Sequence, residues 1–147
     1  MNSYPEWWNQ TVTIYSKFED PTSHTISWYK TTVENCFWKN TDKVVIGDIA
    51  IETNTTLCRI PKDERFIEKY LWNTLDSEEK AKHLTIGPGD VIVRGEVEDT
   101  IDEYTKGSRS SDFIAKYKKL QGCMVVESIA INVGGGRDTE HYLAKGV

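Results

Sequence analysis

No apolar run in the chain is longer than a few residues, far short of the roughly 18 that a membrane-spanning helix requires. The opening stretch, MNSYPEWWNQ, has neither the basic flank nor the apolar centre of a secretory leader, so no such signal is expected. Cysteine is scarce. Cys36, Cys58 and Cys123 show no metal-ligand spacing, and any disulfide would leave one thiol over, which points to buried thiols in a reducing cytoplasm. Basic residues are outnumbered: 18 Lys and Arg stand against 23 Asp and Glu, a net charge of −5, which disfavours broad phosphate neutralisation. The densest basic cluster, Lys116, Lys118 and Lys119 around Tyr117, reads as a solvated helix face.

Reactive constellations are missing too. His24, His83 and His141 lie far apart, without HxxxH or HxH spacing. There is no GxSxG and no CxxC, and no pair of carboxylates stands in an apolar context that would raise one pKa for acid catalysis. The sequence therefore assigns no catalytic, cofactor-binding or metal-ligating residue, and an enzyme is not expected. "LTIGPGDVIVRG", Leu84 to Gly95, has the glycines of a phosphate loop in the wrong order. Such a loop needs them after a strand and before a helix, ending in Lys-Ser/Thr, whereas here they precede an apolar run. Gly87-Pro88-Gly89-Asp90 is a turn that launches a strand.

What is present is β-structure. With 38% hydrophobic and 28% charged residues over 147 positions, the chain is of soluble, one-domain composition. "TVTIYSKF", Thr11 to Phe18, alternates as a half-buried strand does. "EDPTSH" turns it into the aromatic, β-branched stretch Ile26 to Asn40, with a break expected near Glu34-Asn35. "VVIGDIAIET" and "TTLCRIP" read as two further short strands. The segment Lys62 to His83 changes to helical texture, with Asp63 as one candidate cap and Asp76 or Ser77 as another. A short helix from about Ser111 to Leu120, capped by Ser111 or Asp112, precedes the strands "CMVVESIAINV" and "YLAKGV". Alternation places Val12, Ile14, Trp28, Val33, Phe37, Ile49, Ile51, Leu57, Ile60, Val91, Val93, Val125, Ile129 and Ile131 in the core.

Three surface features are candidates for function. "EVEDTIDE" carries five acids in eight residues and no base. Such a block is either a solvated loop or a surface that repels an anionic polymer, so Glu96, Glu98, Asp99, Asp102 and Glu103 are candidates to line a channel passing DNA. "GGGRDTEH" joins the last two strands; Gly134, Gly135 and Gly136 permit movement, and Arg137 could meet an acid or a phosphate. The Trp7-Trp8 pair either packs on the barrel or contacts another protein.

Four stretches in order, "TVTIYSKFED", "SWYKTTVENCFWKN", "LTIGPGDVIVRGEV" and "VVESIAINVGGGRDTEHYLAKGV", resemble the small head-tail connector proteins of tailed bacteriophages, of the stopper or head-completion class. The resemblance implies one small antiparallel β-barrel over 1–147, with one to three short helices in long loops. It implies a hexameric ring in the virion neck, made in the host cytoplasm, between the portal-adaptor and the tail terminator or tail. Genomic DNA would pass through without specific binding, and no cofactor or membrane would be involved. A tail-terminator or tail-completion ring is the neighbouring alternative. A ligand-binding barrel, or a single-strand binder using aromatic platforms, is an alternative of another kind; the latter would need a basic groove.

Overall fold

A computed structural model describes residues 7–46, 49–132 and 140–147, with side chains described outside 41–54. Six antiparallel strands close into a barrel. They are β1 (Gln10–Glu19), β2 (Ile26–Ile46), β3 (Ile49–Pro61), β4 (Val91–Arg94), β5 (Cys123–Asn132) and β6 (His141–Gly146), in the order β1-β2-β3-β6-β5-β4. Strand β4 closes the ring by pairing with β1, Ile14 opposite Ile92. Three short helices, α1 (Lys69–Trp72), α2 (Ser77–Lys82) and α3 (Ser110–Leu120), sit in the long connections. Mainly-β architecture with short helices in loops is thus what the sequence leads one to expect.

Side-chain parity builds two cores, not one. The interior is filled by Val12, Ile14, Val33, Cys36, Cys58, Ile60, Ile92, Met124, Val126, Tyr142 and Ala144, with Leu84 and Ile86 closing on it. A second cluster lies outside the wall, where Tyr15, Val91, Val93 and Cys123 meet Val97, Ile101, Phe113 and Tyr117. Val91 and Val93 are therefore core residues, as expected, but on the outer face; their neighbour Ile92 is the one that fills the barrel. Trp28 likewise packs half-buried against the outer cluster.

Bulges account for most of the misplaced core positions. Asn35 takes a left-handed φ of 61°, and the β1–β2 register shifts between Gln10 and Val12 opposite it. The break expected at Glu34-Asn35 is this bulge within one continuous strand. It reverses the alternation, so that Cys36 turns inward and Phe37 outward. A second register shift, between Val126 and Ser128, does the same in β5. Val126 and Ile129 then both face the interior, while Val125 faces out. Ile131 shares the inward side with its partner Tyr142 but stands at the rim, 38% exposed. Leu57 points outward because its neighbours Thr56 and Cys58 are the buried ones. The side chains of Ile49 and Ile51 lie outside those described.

The middle strands also differ from expectation. "VVIGDIAIET" is not one strand: Val44–Ile46 ends β2 and Ile49 begins β3, paired from Phe37↔Arg59 to Ile46↔Ile49. Since β3 meets β6 only from Thr56 onward, the segments 41–46 and 49–55 form a two-stranded ribbon beyond the barrel. Caps differ as well. Glu68 rather than Asp63 precedes α1. Asp76 caps α2 as expected, accepting a bond from the Glu79 N–H at 2.8 Å. Arg109 stands at the α3 cap position without a side-chain bond; instead the Glu103 carboxylate accepts from the Ser110 N–H at 2.7 Å. Near the C-terminus, Gly146 admits the β5 backbone so closely that a Cβ there would lie 1.9 Å from the Val125 carbonyl oxygen.

Because Val91 is buried in the outer cluster, Val91→Asp is expected to cost about 3 kcal/mol or more by burying an unpaired charge. Urea unfolding of the variant checks this; a midpoint equal to the parent's contradicts the two-core assignment.

Candidate functional site

The GPGD turn is a knot of buried charge. Gly89 adopts φ +92°, a conformation open to glycine, and the turn delivers Asp90 fully buried at the start of β4. Asp90 Oδ2 accepts from the Gly87 N–H at 2.8 Å, closing the turn. Its Oδ1 accepts from the Lys17 N–H at 2.9 Å and from Lys69 Nζ at 2.7 Å. Lys69 Nζ also donates to the Lys17 carbonyl at 2.7 Å. Burial raises the Asp90 carboxyl and lowers the Lys69 ammonium from their ordinary pKa values, each partly offset by the other. Sequence reading found the turn but not the clamp, since Lys69 lies 21 positions away in a segment with no strand pattern.

The acidic segment is divided by its contacts. Asp99 accepts from Tyr117 Oη at 2.5 Å and Lys116 Nζ at 2.9 Å, bonds that hold its carboxyl below the usual range. Its backbone carbonyl accepts from the buried Tyr15 hydroxyl at 2.5 Å. Asp102 accepts from the Tyr104 N–H and the Thr105 hydroxyl, which lower its pKa and fold the turn. Glu103 caps α3. Thus Asp99, Asp102 and Glu103 organise their own segment, whereas Glu96 and Glu98 are exposed and carry no ion pair among the described residues. Lys30 Nζ reaches this segment through carbonyls, those of Val97 and Glu98, both at 3.1 Å. A shallow pocket of about 440 Å³ lies beside it, lined in part by Glu98, Asp112 and Phe113.

The two tryptophans differ in burial. Trp8 is buried, its ring edge-on to His141 at 5.6 Å. Trp7 is 57% exposed, standing edge-on to Phe37 at 5.0 Å. Gly134, Gly135, Gly136 and Arg137 lie outside the described residues. The structure brings none of His24, His83 and His141 together into a group with carboxylates or thiols that could hold a metal, among the described residues. Cys36 and Cys58 do meet inside the barrel; their hydrogen bond and burial raise the Cys58 thiol well above its ordinary value. Burial pushes Cys123 up to about 12. All three thiols are buried and free.

One further interaction escaped the sequence. Lys80 is buried in α2, its Nζ donating to the Leu75 carbonyl and lying 4.0 Å from the Phe18 ring centre, and burial lowers its pKa. Lys, Glu and Ala alternation hides such a residue, since nothing local distinguishes it from its solvated neighbours Glu78 and Lys82.

The clamp makes a pH-dependent prediction. Lys69→Met keeps the stem that lies on Gly87 but leaves the Asp90 carboxylate buried without its cation. The loss is expected to be on the order of 3–5 kcal/mol at pH 7. A carboxyl whose folded pKa is raised binds its proton more tightly folded than unfolded. Stability is therefore favoured below the ordinary value near 4 and lost as pH rises through the folded pKa. Urea titrations should show the deficit against parent shrinking from pH 7 toward about pH 4; an equal deficit at both rules out a charged Asp90 as its cause.

Comparison with known proteins gives one positive result. No curated protein and no solved structure matches the chain. A family model matches residues 7–147, from Trp7 and Trp8 to the final strand, and thereby takes in both cores, the clamp and the acidic segment. The chain belongs to that family, described as "Family of unknown function (DUF6751)".

Proposed function

We propose that this protein is a structural ring component of the head-tail connector of a tailed bacteriophage, of the stopper type. The observation that carries the reading is a barrel packed solid with side chains from which a two-stranded ribbon projects. From residue 40 to Ile46 the ribbon reaches about 20 Å, at about 3.3 Å per residue. Its outer backbone edges pair with no strand among the described residues. Unpaired edges are templates for another chain, and in a ring the neighbouring copy supplies it. The four stretches that carry the likeness to connector proteins supply strands of this one barrel, and Gly146 lets β6 approach the β5 backbone closely. In this role the protein keeps packaged DNA in the head by joining the portal-adaptor to the tail, and performs no chemistry.

The test is composition of the particle. Purified virions of the phage that encodes this chain, separated from free protein by density and analysed by quantitative mass spectrometry, are expected to contain it at a fixed, ring-like ratio to the portal protein. Particles that eject DNA normally and lack the chain would refute the reading.

A further inference from the structure

Two rows on the outer face of β3 and β6 hold three cations and no acid. The register aligns Lys39, Leu57 and Lys145 in one row, and Phe37, Arg59 and Leu143 in the next. All point outward, because Cys58 and Ala144 between them are buried. With strands about 4.8 Å apart and a rise of about 3.3 Å per residue, Lys39, Arg59 and Lys145 are rooted within roughly 10 Å of one another. Lys118, from the last turns of α3, borders the same face through a pocket of about 260 Å³ that it shares with Thr55 and Thr56. Lys39, Lys118 and Lys145 are exposed and make no ion pair among the described residues. The carboxylates nearest in register are Glu127, at the β5 bulge, and Glu140, which is held by Lys62 at 2.9 Å.

Two further observations point to a ligand. Arg59 Nε is out of solvent yet has no hydrogen-bond acceptor among the described residues. A donor so placed has lost its bonds to water, and an acceptor arriving from outside restores one. Beside it lies an aromatic margin. The Arg59 guanidinium is 5.8 Å from the Phe37 ring, and the exposed Trp7 stands edge-on to that ring at 5.0 Å. Phosphate oxygens would meet the first need, and unpaired bases would stack on the second.

We propose that the outer face of β3 and β6, through Lys39, Arg59 and Lys145 with Trp7 at its margin, binds a single-stranded nucleic acid without regard to base sequence. The net charge of −5 does not oppose this. At physiological salt, charges beyond about 8 Å are largely screened, so a strand responds to the cations it touches. A duplex offers phosphates but keeps its bases paired and stacked, which leaves Trp7 without a partner. A second copy of the chain brings no acidic counterpart, since Glu96, Glu98 and Asp112 stand among Arg94, Lys106 and Arg109. The proposal goes beyond the ring reading and does not depend on it.

Anisotropy of a fluorescein-labelled oligothymidylate of about 15 nucleotides, titrated with the purified full chain at several salt concentrations, tests it. Three phosphate contacts on a single strand predict a slope of about −2 for the logarithm of affinity against that of salt. Lys39→Gln with Lys145→Gln should weaken binding at least tenfold at low salt and bring the slope to about −0.7. Trp7→Ala should weaken it about tenfold and leave the slope unchanged. Lys82→Gln with Lys106→Gln, the same change of net charge away from this face, should alter affinity by no more than about twofold. The proposal is overturned by absence of binding at low salt, by equal losses in the two double variants, or by a Trp7→Ala variant that binds like the parent. A duplex or a polyglutamate that binds as tightly as the oligonucleotide overturns it too. Virion composition is a separate readout, so either reading can fail while the other stands.

Discussion

Burial of β4 on both faces is the constraint on which the rest of the structure depends. Four residues long, it must close the barrel against β1 and β5. It does so with Ile92 in the interior and Val91 and Val93 under Phe113 and Tyr117 outside. A strand this short cannot hold its register through pairing alone. The Asp90 carboxylate fixes its first residue to the β1 backbone at Lys17 and to the α1 ammonium of Lys69. One turn, one buried charge and one outer helix therefore act together on this short strand.

That device also makes the molecule two-sided. Because α3 and the segment before it cover β4, no helix among the described residues spans the outer face of β3 and β6, and α3 reaches only its edge, where Lys118 lines a pocket with Thr55 and Thr56. That wall presents Lys39, Arg59 and Lys145 in register with Leu57 and Leu143. The segment that covers β4 and the helix after it carry both signs, with Arg94, Lys106 and Arg109 among Glu96, Glu98 and Asp112.

The sequence announced the strands well and their faces less well. Alternation in Thr11 to Phe18 placed Val12 and Ile14 correctly, because β1 runs without a bulge from Val12 onward. In β2 and β5 a single extra residue reverses the alternation, and nothing in "VENCF" or "VVESI" marks its position except the tolerance of asparagine for positive φ at Asn35. Val91, Ile92 and Val93 read as one apolar run whose two faces could not be told apart before α3 was seen to cover one of them. Functional chemistry was less legible still. Lys69, Lys80 and the Tyr15–Asp99–Tyr117 link are made across 5 to 84 positions, from residue types that usually face solvent. The acidic run drew notice by composition, but only geometry separates Asp99, Asp102 and Glu103, which fold the segment, from Glu96 and Glu98, which face outward.

Direct imaging of the neck in intact particles tests the central claim most squarely. Density between portal and tail should show a ring of six-stranded barrels, with the ribbon of each copy laid along a neighbour. A neck built without this barrel, or barrels that meet through like faces about a twofold axis, would contradict the account.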